Sequence, residues 1–149
     1  MRKDLPHLCD VIEEAYEFML AYAAQGLAGD AARRSEPQLR AFLTRAAAAL
    51  TDISEVLSAL IEREPLDLAP QYRACGAVLG RDAGDTLAAI ELVLAQPSIS
   101  SQLVDNLNAS IHLRALLADL FLIDEVSMRR LTRGGIRQPA SIQSRTPEL

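Results

Sequence analysis

The chain reads as all-α, an up-down-up-down four-helix bundle at residues 1–132 followed by a disordered basic tail at 133–149. Three observations predict this. Four long stretches repeat apolar residues near every 3.6 positions. The hydrophobic half of the composition is mostly Ala and Leu, with no Trp and only 4% aromatics, which favours helix. Alternating runs of Val, Ile and Thr are absent, so no strand is expected.

The first helix spans Pro6 to Gln25 with Asp4 as N-cap. Leu8, Ile12, Ala15, Met19 and Tyr22 form its apolar face, and Gly26 and Gly29 end it. Leu27 to Ser35 is read as a loop. Ser35-Glu36-Pro37-Gln38 then has the form of a helix start: Ser35 caps, Gln38 reaches back, and Pro37 sits in the first turn. The second helix continues to Glu64 along Leu39, Leu43, Ala46, Leu50, Ile53, Leu57 and Leu60, an unbroken 4-3 seam suited to shallow packing. Pro65 stops it.

The third helix spans Ala69 to Gln96. Gly76, Gly80 and Gly84 lie on the face shared by Tyr72, Leu79, Ala83, Leu87, Ile90 and Leu94. Each glycine costs roughly 1 kcal/mol against Ala. They are read as a smooth strip for close approach of a neighbouring helix, the alternative being a break near Gly80. Pro97 turns the chain and Ser98 or Ser100 caps the fourth helix. From Ser98 to Leu131 there is no Gly or Pro, so one continuous helix is expected. It has two apolar faces. Ala109, Leu113, Leu116, Leu117, Leu120 and Ile123 form one; Val104, Leu107, Ile111, Ala115, Ala118, Leu122 and Val126 form the other. One face closes a four-helix core. The second needs cover, which a second copy of the chain supplies most simply.

Charge divides the chain. From Arg129 onward five arginines (129, 130, 133, 137 and 145) face one acid, Glu148, while the formal total is −5, so the body is strongly acidic. Glu13, Glu14 and Glu17 form a solvated acidic face, which could dock a basic segment such as this tail. The acidic body and the absence of aromatics in the tail argue against nucleic acid. No apolar window of about 18 residues is present, so no membrane span is expected. The charged, Pro-broken start and the glutamates that follow do not resemble a signal segment, so a cytoplasmic location is expected. Cys9 and Cys75 have no metal-like spacing and are read as reduced and buried.

Catalytic constellations are missing. There is no Glu-x-x-His pair, nucleophile elbow, phosphate loop or Cys-x-x-Cys. His7 reads as solvated and His112 as a surface or interface residue. Asn108-Ala109-Ser110 matches a glycosylation acceptor but falls mid-helix. Glu91, Asn106 and Asp124 fall on inward faces. Folding the chain back at Pro97 sets Glu91 toward Asn106 and Arg73 toward Asp124, as two buried polar pairs fixing register. No catalytic residue, cofactor or metal is indicated. The leading expectation is a non-enzymatic helical interaction protein, an adaptor, chaperone or regulatory subunit acting as a homodimer, with a further protein partner allowed. The alternative is a small-molecule-binding, sensory or enzymatic bundle using the polar groups between the third and fourth helices.

Overall fold

The computed structural model describes residues 4–26, 30–63 and 69–136. Five helices account for almost all of them, with no strand among the described residues: α1 (Leu5–Gln25), α2 (Asp30–Glu62), α3 (Ala69–Leu94), α4 (Ser101–Ala109) and α5 (Ile111–Ile136).

Both ends of α1 follow from local chemistry. The Asp4 carboxylate accepts a 3.0 Å hydrogen bond from the His7 N–H, satisfying one of the donors a helix start leaves open. Pro6 occupies the first turn, where its missing N–H is not needed. Gly26 closes the helix in the left-handed region at φ 55°, donating its N–H to the Ala23 carbonyl. Leu8, Ile12, Ala15, Met19 and Tyr22 are all buried, and Phe18 stacks on Phe42 of α2 at 4.7 Å.

Helix α2 starts at Asp30, not at Ser35, so Pro37 lies inside it rather than in its first turn. A proline there forfeits one backbone hydrogen bond and crowds the preceding turn, at about 3 kcal/mol. The run before it, Ala31 to Arg34, is rich in good helix formers and carries the helix back across the proline. The expected seam is in the core from Leu39 through Leu57, with Leu60 half-buried against it. Helix α3 is continuous through Gly80.

The fourth stretch departs from expectation. It is two helices, broken at Ser110, which adopts φ −57° and ψ 127°. No Gly or Pro marks the break. Its cause is the double apolar face. A straight helix cannot turn both faces inward, whereas one extended residue resets the phase. Val104 and Leu107 of α4 and Leu113, Leu116, Leu117, Leu120 and Ile123 of α5 are then all buried. Burying Val104 and Leu107 contributes about 1.5–3 kcal/mol each. A helix break sacrifices one or two hydrogen bonds, at about 1 kcal/mol each. The Ser110 N–H still reaches the Leu107 carbonyl, and Ser100 caps α4 by accepting from the Leu103 N–H.

Helix α1 lies between α2 and α4, α3 lies between α2 and α5, and α4 meets α5, around one apolar core. Helix α5 extends through Gly134 and Gly135 to Ile136, past the expected start of the tail. The rest of that segment, expected to be disordered, lies outside the described residues.

Candidate functional site

With its core face turned inward, α5 presents Ile111, Ala115, Ala118, Leu122 and Val126 on the opposite side. Ile111 is 74% exposed, Leu122 59% and Val126 37%. Ala118 is exposed and Ala115 half-buried. Val104 and Leu107, expected on this stripe, are instead core residues, because the phase reset at Ser110 turns them inward. What remains of the stripe in water lies on α5; Leu20 of α1 and Val78 and Leu92 of α3 are exposed elsewhere. Arg114 and Glu125, both exposed, stand on the same side of the helix, one before Ala118 and the other after it.

Beside this stripe, α1 and α5 form an open groove of about 310 Å³. Tyr16 and Leu20 of α1 and Leu117 and Phe121 of α5 line it with apolar surface, and Glu13 and Glu17 contribute carboxylates. Phe121 is 50% exposed. The wall is strongly negative. Burial, then the charges of Asp10, Asp124 and Glu17, push the Glu13 carboxyl above its ordinary range. Burial first, then Asp124, Glu13 and Asp10, push the Cys9 thiol up to about 12. That thiol is therefore protonated and unreactive. Cys75 is half-buried, and both cysteines are free.

The two predicted buried polar pairs do not form. Glu91, Asn106 and Arg73 are exposed, and Asp124 is half-buried beside α1. The Asn106 side-chain carbonyl accepts from Gln102 within α4 at 3.2 Å. Helix α3 buries Tyr72, Leu79, Ala83, Thr86, Ile90 and Val93, which leaves Arg73 and Glu91 off its inner face, and Asn106 lies off the Val104–Leu107 face of α4. Polar groups inside the fold lie elsewhere. Thr86 and Asn108 are buried, with no hydrogen-bond partner for Thr86 Oγ1 or either Asn108 amide atom among the described residues. Burial first, then the neighbouring Asp82 carboxyl of α3, push the Asp119 carboxyl of α5 up to about 7. His112 Nδ1 lies 3.6 Å from Asp85 Oδ2, on the surface as expected.

The glycine strip is looser than its spacing suggested. A Cβ on Gly76 would stand 3.5 Å from Ile61 Cδ1, and one on Gly80 3.9 Å from Ser54 Oγ, both ordinary contacts. Gly84 has open space around it.

A polar clasp that sequence reasoning missed fixes the α3–α4 corner. The Arg40 guanidinium donates to the Leu94 carbonyl at 2.9 Å and the Gln96 carbonyl at 2.7 Å. Glu36 Oε1 lies 3.5 Å from Arg40 and accepts from the Ile99 N–H, while the Tyr22 hydroxyl donates to the Ile99 carbonyl at 2.7 Å. Only the Glu36/Arg40 spacing of four residues hinted at it.

Among the described residues no three His, Cys, Asp or Glu side chains gather to hold a metal, and no helix is long and apolar enough to cross a membrane. No protein-family model matches the chain, and no curated protein or solved structure matches it.

Proposed function

We propose that this is a non-enzymatic helical interaction protein of the cytoplasm, an adaptor, chaperone or regulatory subunit, that pairs with a second copy through the outer face of α5. In this reading its helices make an up-down-up-down bundle whose fourth member is α4 and α5 bent at Ser110. The carrying observation is the exposure of Ile111, Leu122 and Val126 along one face of one helix. Such a stripe is unusual on a soluble monomer.

The stripe is self-complementary. When two α5 helices cross antiparallel near Ala118, Ile111 of one copy faces Val126 of the other, and Leu122 faces Ala115. Arg114 stands two residues out of register with Glu125 of the other copy, an offset of about 3 Å along the helices that its long side chain can span. The small Ala118 side chains at the crossing allow the helices to close up. Sedimentation of the wild type at tens of micromolar is expected to give a dimer. Ile111→Glu with Leu122→Glu should give a folded monomer, or unfolding if the dimer is obligate. Arg114→Glu should weaken the dimer, and adding Glu125→Arg should restore it. A monomeric wild type removes the proposal.

The second reading is a bundle that binds a small molecule between the third and fourth helical stretches. It draws support from Thr86 and Asn108, whose buried polar atoms lack a protein partner among the described residues. Native mass spectrometry of the purified protein separates the two: a retained ligand favours this one.

A further inference from the structure

The two ends of α4 are held differently. At its start the corner with α3 is clasped: Arg40 reaches the Leu94 and Gln96 carbonyls, Glu36 accepts from the Ile99 N–H, and the Tyr22 hydroxyl reaches the Ile99 carbonyl. At its end the joint with α5 is the single residue Ser110, at ψ 127°. Asn108 beside it is buried, yet neither amide atom has a partner among the described residues, so that side chain does not brace the bend. Helices α1 to α4 are thus tied into one body, and α5 joins it through one unbraced residue.

That residue departs from helix against its local sequence. Neither Gly nor Pro stands near Ser110, and both its neighbours are helical. With Ser110 helical, α4 and α5 would be one rod over residues 101–136. The Ile111, His112 and Leu113 N–H groups open α5 and have no helical carbonyl behind them. In the rod they would bond the Leu107, Asn108 and Ala109 carbonyls. In the bend the Leu107 carbonyl accepts from the Ser110 N–H instead, and the ladder resumes with the Arg114 N–H on the Ser110 carbonyl. What holds the bend is the seat of α5, where Leu113, Leu116, Leu120 and Ile123 pack into the core, chiefly against α3. A second copy of the chain offers the identical seat. Exchanging α5 between two chains therefore keeps the apolar contacts of the seat and adds the helical bonds at the joint, against the freedom lost when two chains become one particle.

We infer that Ser110 is the hinge of a reciprocal exchange: in a dimer formed at high concentration, α4 and α5 straighten into one helix and each α5 seats on α3 of the other copy. The exchange does not depend on pairing through the outer stripe, because bent chains joined by that stripe keep α5 on their own α3.

The test reads whose α5 lies on a given α3. Asp82 and Asp119 are neighbours across that contact, so Asp82→Cys with Asp119→Cys, on a Cys75→Ala background, reports it as a disulfide. Light and heavy isotope-labelled full chains are mixed unfolded and reduced, refolded together at high concentration or at high dilution, oxidised, and mapped by mass spectrometry. Light–heavy linkages should be abundant in the dimer formed at high concentration and nearly absent after dilute refolding. Ser110→Ala and Ser110→Gly should differ roughly tenfold or more in dimerisation constant, Ala the tighter, since each dimer straightens two joints and Gly is the poorer helix former at both. In the unaltered chain, amide hydrogens of residues 111–113 should exchange more slowly in the refolded dimer than in the monomer. Linkages confined to single chains at both concentrations would overturn the exchange, and a dimer showing only those would leave stripe pairing standing. Equal dimerisation of the Ala and Gly variants, or equal exchange at residues 111–113 in monomer and dimer, would overturn Ser110 as the hinge.

Discussion

Replacing Arg40 by Ala removes the clasp on the α3–α4 corner. Ala is the best helix former, so α2 itself loses nothing by the change. What is lost is a guanidinium with two donors on carbonyls at 2.9 and 2.7 Å, the Leu94 and Gln96 groups that the end of α3 leaves without a helical partner. Hydrogen bonds from a charged donor contribute about 1.5–3 kcal/mol each. The Arg40 side chain is 31% exposed, so water recovers part of that, and the expected loss is roughly 2–4 kcal/mol. For a chain of this size that is roughly 5–15 °C in midpoint temperature. Arg40→Lys, whose single ammonium cannot fork between two carbonyls, should fall in between. Glu36→Gln keeps an acceptor for the Ile99 N–H and should lose less than Arg40→Ala. Thermal melts by circular dichroism read all three. An Arg40→Ala midpoint within about 2 °C of wild type would show that the corner holds without its cation, and the reasoning would fail.

Three further outcomes are expected. Asp119 carries its proton more tightly in the fold than at its ordinary value of 3.8, releasing it near 7. Its contribution to stability is therefore greatest below pH 3.8, declines as pH rises through that window, and is flat above it. Asp119→Asn should be the more stable protein at pH 8 and should flatten this part of the midpoint-against-pH curve; an unchanged slope would count against the Asp82–Asp119 pair. Gly84→Ala, in open space within a helix, should stabilise by about 0.5–1 kcal/mol, whereas Gly26→Ala, at φ 55°, should destabilise by about 1–2 kcal/mol. Leu107→Ala should cost about 2–5 kcal/mol as a core cavity, and chemical denaturation that finds it harmless would contradict the phase reset at Ser110.

Helix faces were legible wherever one apolar side dominates. Leu8 through Tyr22 on α1 and Leu39 through Leu57 on α2 needed only periodicity. The start of α2 was not legible, because Ser35-Glu36-Pro37-Gln38 carries the local marks of a helix start although the helix begins at Asp30. The break at Ser110 left no local signal. It follows from a global requirement, that two apolar faces share one core, which periodicity alone does not distinguish from a face covered by a second chain. Periodicity alone sets Val104 and Leu107 on the stripe expected to meet a second copy, whereas both are core residues. The pairs Glu91–Asn106 and Arg73–Asp124 required Arg73 and Glu91 on the inner face of α3, and they lie beside that face, next to Tyr72 and Ile90, rather than on it. The α5 stripe was legible from Ile111 onward, since those residues follow the break. The groove with Phe121 and Leu20, and the clasp from Tyr22, Glu36 and Arg40 to the chain near Ile99, join residues too distant in sequence for spacing to reveal.

Ser110 also sets how the chain can vary in length. Along an uninterrupted helix, one inserted residue rotates every later side chain by about 100° and would turn a core face toward water. A joint in extended conformation between α4 and α5 separates their phases. Helix α4 is seated on α1 and α5 on α3, each by its own apolar face. An added residue at the joint can be taken up there, whereas the same insertion at Leu116 would expose Leu120 and Ile123 while burying Leu122.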